Sequence, residues 1–248
     1  MAFAFIKFAH YFMIKLTVDQ GNSNTKLAVF NQDEMIEKIS NVDDVLLSTY
    51  LSKFDRVIIS SVKNKIDNIS LSSPNIICLN STTLLPIKNV YQTPHSLGND
   101  RIALAVGANF LFPKKDVLII DAGTCMTFDF INKKGQYLGG AISPGLTIRY
   151  QALNTFTAQL PLLTPSKTPK LIGANTEESI QSGIINGMRS EIDGIIYRYT
   201  QSYPGIIVIL TGGDAIFFDK GLKNTIFANP DLLMIGLNKI LDYNEPIF

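Results

Sequence analysis

Histidine, cysteine and charge are all scarce in this chain, and each scarcity closes off a class of function. The 248 residues include two histidines, His10 and His95, and two cysteines, Cys78 and Cys125. A zinc site of the usual Cys/His type needs more ligands at closer spacing, so that chemistry is excluded. Both cysteines fall in apolar runs that read as strands, which predicts buried, reduced thiols and a cytoplasmic setting. Charged residues make up 17% of the chain, and 22 Lys and Arg against 21 Asp and Glu leave a formal net charge of +1. Such a balance gives no electrostatic footprint for nucleic acid or for a membrane surface. The apolar opening MAFAFIKFAHYF is too short to span a bilayer. It also lacks the basic start and small-residue cleavage site of a signal peptide. Met13 stands directly before the strand-like IKLTVD, so residues 1–12 read as an N-terminal extension from an upstream start codon.

What is present is ample core material, 46% hydrophobic, arranged twice in the same syntax. Ile14–Val18 is a short β-branched run ending at Asp19; Lys26–Phe30 resumes it after a polar turn, and Glu34–Ile39 pairs as a third strand. Asp43–Phe54 has helical spacing, with Val45, Leu46, Tyr50 and Phe54 on a common side. Arg56–Ser61 and Asn75–Leu79 read as buried parallel strands, and Asp100–Leu111 as a helix entered after Gly98. At Asp116 the pattern restarts: Val117–Ile120 ends in Asp121, Thr127–Ile131 resumes, and Gln136–Ile142 follows Gly135. Asp19-Gln20-Gly21 and Asp121-Ala122-Gly123 therefore read as corresponding turns of two homologous halves, 13–114 and 115–248. Downstream, Thr176–Tyr199 is a long helix started by Asn175 with Glu178 three positions on. Ile206–Leu210 is an apolar strand, and Asn229-Pro230-Asp231 opens a helix within Ile226–Asp242 with Pro at its first position. Strands alternate with helices throughout, so the class is α/β.

The turns are where chemistry concentrates. In Asp19–Lys26, DQGNSNTK, a bend at Gly21 offers backbone N–H groups and the polar side chains of Asn22, Ser23, Asn24 and Thr25 to one point. Such a concavity suits phosphate oxygens, and Lys26 adds a charge. It is not a P-loop, because it lacks G-x-x-x-x-G-K-[ST] and leads into a strand. A carboxylate such as Asp19 beside phosphates calls for Mg²⁺ between them. The second turn, DAGTCMT, adds Asp121 and the Thr124 and Thr127 hydroxyls, and Thr211-Gly212-Gly213 is a third site of close approach. The stretch Tyr91–Arg101, YQTPHSLGNDR, differs in kind. Asp100 is the expected residue type at a helix start. Arg101 beside it opposes the helix dipole, which favours an anion-binding guanidinium next to a base. His95, lone in a loop, reads as solvated.

Taken in order, DQGNSNTK, TPHSLGNDR, DAGTCMTFDF, GGAISPG, GANTEESIQSG and LTGGDA resemble the type III pantothenate kinases, relatives of acetate and sugar kinases, Hsp70 ATPases and actin. The resemblance runs from about Met13 to the C-terminus; Asn99 fills the variable position of G-x-D-R, and Cys125 stands where Ala is frequent. It implies two tandem ribonuclease-H-like (actin-like ATPase) domains with an interdomain active-site cleft, and a homodimer, for which the helix over 176–203 is the candidate surface. It further implies ATP binding by Asp19, Gln20, Gly21, Asn22, Ser23, Asn24, Thr25, Lys26 and Thr124. Asp121 takes the place of a monovalent-cation ligand, for K⁺ or NH₄⁺, and Mg²⁺ accompanies ATP. Tyr91, Gly98, Asn99, Asp100, Arg101 and Thr176 fall on pantothenate contacts, with Asp100 as proton acceptor. The reaction so implied is phosphorylation of pantothenate to 4′-phosphopantothenate, the entry to coenzyme A, with no nucleic-acid or membrane partner. The rival expectations are a non-catalytic relative acting as an accessory transcription factor, and a kinase of another small hydroxyl substrate.

Overall fold

The computed structural model describes residues 14–22, 24–54, 56–61, 76–218 and 222–244. The expected extension over 1–12 and Ser23 lie outside them. The described chain divides into two compact units. One holds the residues up to Leu111 together with those from Asp231 onward; the other holds Phe112–Pro230.

The first unit is built on β1 (Ile14–Gln20), β2 (Thr25–Asn31), β3 (Glu34–Ser40), β4 (Val57–Ser61) and β5 (Ile76–Cys78), in the sheet order β3-β2-β1-β4-β5. β1 is antiparallel to β2 and parallel to β4, and β2 is antiparallel to β3. As the central strand, β1 is covered on both faces, which is why Leu16, Thr17 and Val18 are all fully buried. The edge strand β3 carries Glu34, Glu37 and Lys38, charges that discourage a further strand from pairing there. Helix α1 (Asp44–Leu51) starts where expected: the Asp43 carboxylate accepts the Leu46 N–H at 2.7 Å. It ends earlier than the spacing predicts, and it buries Leu47, not Val45, which is 78% exposed.

After the two-residue strand β6 (Lys88–Asn89), helix α2 (Asn99–Leu111) buries every residue from Arg101 to Ala108. Part of this burial comes from the last helix of the chain. A side chain added at Gly107 would run into the Leu232 carbonyl, and one added at Gly236 into the Ala103 carbonyl. Two glycines thus let α2 and the C-terminal helix approach backbone to backbone. The same C-terminal helix reaches β1 through Met234, whose sulfur lies 3.4 Å from the Thr17 hydroxyl, and through an ion pair from Asp242 to buried Lys15.

The second unit repeats the plan. Its strands β7 (Val117–Ala122), β8 (Cys125–Ile131), β9 (Gln136–Pro144), β10 (Ile207–Thr211) and β11 (Phe227–Ala228) run in the order β11-β10-β7-β8-β9. β7 is antiparallel to β8 and parallel to β10, as β1 is to β2 and β4. Helix α3 (Leu146–Phe156) packs Leu146 and Tyr150 onto this sheet. The long helix begins as expected: α4 (Thr176–Gln181) is capped by Asn175, which accepts the Glu178 N–H. A π turn, Ser182–Asn186, interrupts it before α5 (Gly187–Ser202). Ile180, Ile184, Ile185, Met188, Ile192 and Ile196 all face the core, so the apolar stripe seen in the sequence is consumed within the unit. Tyr197, 61% exposed, is the large apolar residue of this helix left open to solvent.

The chain closes with α6 (Leu232–Tyr243). A linear division at residue 114 leaves this helix in the second half, yet it packs in the first unit for the reasons just given. Pro230 precedes the helix and does not open it, and Phe227–Ala228 is strand. The Asp231 side chain pairs with Lys38 and does not cap the helix. The cysteines also differ from expectation. Cys78 is half-buried and Cys125 is exposed, because Cys125 is the first residue of β8, beside the turn.

Candidate active site

The two Asp-x-Gly turns are unlike in size. In the first unit four residues, Gly21 to Asn24, separate β1 from β2, and the Gly21 N–H donates to the Asn24 carbonyl at 3.1 Å. In the second, only Gly123 and Thr124 separate β7 from β8, and the Gly123 N–H donates to the Cys125 carbonyl. Asp19 is half-buried at the end of the central strand, in register with Lys26 on β2 and Ser60 on β4. Burial, then the charge of Asp100, push its carboxyl up to about 6, while Lys26 and the Ser60 hydroxyl pull the other way. Asp19 and Asp100, which the sequence does not pair, are therefore within electrostatic reach of each other inside one unit.

Not every polar side chain of DQGNSNTK is offered to a ligand. Side chains alternate along a strand, so Gln20 leaves the face opposite Asp19; it is buried, and its Oε1 has no partner among the described residues. The Asn24 amide oxygen is engaged by the Asn41 N–H at 2.8 Å. Asn22 is exposed, and Thr25 and Lys26 are half-buried.

The G-x-D-R segment has a steric reason for its glycine. A side chain at Gly98 would strike the Asp100 carboxyl, which folds back over the first turn of α2 and accepts the Arg101 N–H at 2.8 Å. Asn99 ties this turn to the end of β5, donating to the Leu79 carbonyl at 2.9 Å. The Arg101 guanidinium is buried and lies 5.9 Å from the centroid of the Tyr91 ring. Tyr91 and Arg101, separated in sequence, thus meet. His95 is exposed, with Nδ1 3.0 Å from the Ser81 hydroxyl.

In the second unit, Asp121 is in register with Thr127 on β8 and Thr211 on β10. Gly212, at φ +96°, brings the next loop against it: a side chain there would meet the Asp121 carboxyl and the Ala122 carbonyl. Asp214, which the motif reading passed over as part of LTGGDA, donates its N–H to the Ala122 carbonyl at 2.9 Å, and burial raises its carboxyl pKa. Thr124 is exposed. Thr127 is not, since its buried hydroxyl donates to Asp129, which also accepts from Tyr137. Gly145 places the start of α3 against this turn, its N–H donating to the Thr124 carbonyl at 3.2 Å. Thr176 is exposed in the first turn of α4.

Comparison with known proteins decides between the possible owners of such a pair of turns. The type III pantothenate kinase profile matches residues 15–198. This chain belongs to that family. A type III pantothenate kinase from Christiangramia forsetii is 44% identical over 94% of this chain and 99% of its own. Another, from Phocaeicola vulgatus, is 43% identical over 94% of this chain and 100% of its own. Among solved structures, a Campylobacter jejuni chain assigned to the Baf family of transcriptional activators superposes with a TM-score of 0.63 at 22% identity, covering 92% of this chain and 98% of that one. A Sinorhizobium meliloti chain assigned as a 2-dehydro-3-deoxygalactonokinase gives 0.57 at 11% identity, covering 94% and 100%. At these identities the structural likeness speaks for the fold, an actin-like α/β fold shared with sugar kinases. Among the described residues no helix is long and apolar enough to cross a membrane.

Proposed function

We infer that the chain transfers the γ-phosphoryl group of ATP to the primary hydroxyl of pantothenate, giving ADP and 4′-phosphopantothenate. The observation that carries this reading is the meeting, at one end of the first sheet, of Asp19 with the Asp100–Arg101 turn, in a chain whose family is pantothenate kinase. Phosphoryl transfer asks a protein mainly for positioning and charge neutralisation. The Gly21–Asn24 turn supplies backbone N–H groups to phosphate oxygens, and Lys26 a cation. Asp100, at the substrate-side element, orients the hydroxyl and accepts its proton. Arg101, its guanidinium covered by Tyr91, grips the substrate's carboxylate or the group in transfer.

Among the described residues no group of three or more His, Cys, Asp or Glu is arranged to hold a metal. That fits Mg²⁺, which binds through one or two carboxylates, keeps waters and takes its other ligands from phosphates. Asp19, desolvated and repelled by Asp100, is the carboxylate whose burial a divalent cation would offset. When bound, Mg²⁺ neutralises phosphate charge. In the second unit, Asp121 is proposed as the carboxylate for K⁺ or NH₄⁺, and Thr124 as an ATP contact. Thr176, Gly98 and Asn99 complete the proposed pantothenate set. The active assembly is proposed to be a cytoplasmic homodimer.

An ADP-release assay run with and without pantothenate, and in K⁺ against Na⁺ buffer, tests the reading. Pantothenate-dependent ADP release that is stimulated by K⁺ is expected. ADP release indifferent to pantothenate would overturn the substrate assignment, and equal rates in the two buffers would overturn the cation assignment.

A further inference from the structure

Ser60 has no role in the reading above, yet its position is unusual. It lies near the end of β4, in parallel register with Asp19, so the two side chains leave the same face of the sheet. Val57, Ile58 and Ile59 before it are fully buried and apolar, as a central strand demands. Ser60 is buried too, at 1% exposure, and its Oγ has no hydrogen-bond partner among the described residues. Buried hydroxyls are nearly always paired, and an unpaired one costs about 1–3 kcal/mol. An alanine would satisfy the packing here without that cost, so a hydroxyl at this place calls for an explanation.

The neighbouring carboxyl provides one. Asp19 is a carboxyl that needs a donor, being desolvated and faced by Asp100. Lys26 flanks it from β2, and the Ser60 hydroxyl stands on the β4 side, near enough to favour the ionised form. That hydroxyl has no completed hydrogen bond among the described residues, and the register places the Asp19 carboxyl as its neighbour across the sheet.

We propose that Ser60 is a positioning residue for the kinase reaction, its buried hydroxyl being the donor that fixes the Asp19 carboxylate in the orientation that receives Mg²⁺ with ATP. Ser60 itself touches neither substrate; it acts through Asp19. The proposal rests on the reading of Asp19 as the Mg²⁺-side carboxylate.

The test is calorimetric binding of a non-hydrolysable ATP analogue to the full chain, in Mg²⁺ and in EDTA, for wild type, Ser60→Ala, Ser60→Thr and Asp19→Ala. Ser60→Ala is expected to weaken binding in Mg²⁺ by about tenfold, the scale of losing a ligand-orienting partner. Its binding in EDTA should match wild type and its melting temperature should be no lower, since the uncompensated hydroxyl is gone, and Ser60→Thr, which keeps the hydroxyl, should recover most of the loss. If the extra methyl of threonine unfolds the protein, Ser60→Cys replaces it: close in size with a weak donor, it should behave as Ser60→Ala does. Wild-type binding in Mg²⁺ by Ser60→Ala, or an equal loss in EDTA, would overturn the proposal. So would a folded Ser60→Thr as weak as alanine, or a Ser60→Cys as tight as wild type. The Asp19→Ala arm separates the two layers. If that variant keeps the full Mg²⁺ effect, the reading of Asp19 fails and the proposal with it. If it loses the effect while Ser60→Ala retains it, the proposal alone fails.

Discussion

The two units share one strand order and differ in what has been built on it. The first widens its hairpin turn to four residues and is finished by a helix from the far end of the chain. The second keeps a two-residue turn, draws a glycine loop tightly against its aspartate, and is contiguous. A wide turn exposes more backbone N–H groups and suits an extended anion such as a polyphosphate. A tight one crowded by Gly212 and Gly145 suits a small, fixed ligand. The duplicated Asp-x-Gly element has thus been kept as a scaffold while its two copies diverged.

The largest expected effect falls on the Gly98–Arg101 turn of the first unit, the proposed substrate-side element. Asp100→Asn should lower kcat by about a hundredfold or more, the usual worth of a general base. Steady-state rates and a thermal melt check this, and a loss below tenfold with the fold intact would move the base elsewhere. Next comes the dependence of the first unit on its distant helix. Asp242→Ala leaves the Lys15 ammonium, 3% exposed, without its partner; a loss of about 2–3 kcal/mol is expected in urea unfolding. The contrasting Glu191→Gln breaks the Arg149–Glu191 pair of the second unit, more open to solvent at 24% and 25%, and should cost about 1 kcal/mol or less. Equal losses would erase the contrast.

Asp19 gives a pH-dependent contrast. Its folded pKa, about 6, lies above the ordinary 3.8. Between those values the folded state holds a proton that the unfolded state has released. Stability of the ligand-free protein therefore falls as pH rises from about 4 to 6 and stays low above. Asp19→Asn should stabilise the ligand-free protein by about 2 kcal/mol at pH 7.5 and by almost nothing at pH 4, while activity is lost. Melting curves at the two values decide it, and a gain that persists at pH 4 would mean that packing, not charge, is responsible. The smallest effect belongs to the second turn. Asp121→Asn should raise the K⁺ concentration for half-maximal activity by about tenfold, leaving the Mg²⁺ dependence unchanged. A shifted Mg²⁺ requirement would show that the two turns are not divided in their cations.

Much of this was legible because central strands buried on both faces write themselves as apolar runs, and both runs end in Asp-x-Gly. Gly98 and Asp100 were legible as a pair, though the steric reason for the glycine was not. Helix α3 has no side-chain cap to announce it, although Leu146, Tyr150 and Leu153 carry helical spacing after Gly145. The spent side chains of Asn24 and Thr127 could not be read, since each is engaged by a partner that only folding supplies. Ser60 was invisible for the same reason: its meaning lies in the register of β4 against β1, and no local pattern encodes that pairing. The return of α6 to the first unit is a tertiary choice, signalled in sequence only by two glycines, Gly107 and Gly236, whose contact joins distant segments.

That return has a consequence during synthesis. The ribosome makes the strands of the first unit early, but Lys15 and Thr17 must wait for Asp242 and Met234, which are made only after the whole second unit. The contiguous second unit has all its parts sooner and is the one equipped to fold first. The first sheet meanwhile holds an unfinished face that chaperones can reach. Arrival of α6, not completion of its own strands, is the event that closes the first unit.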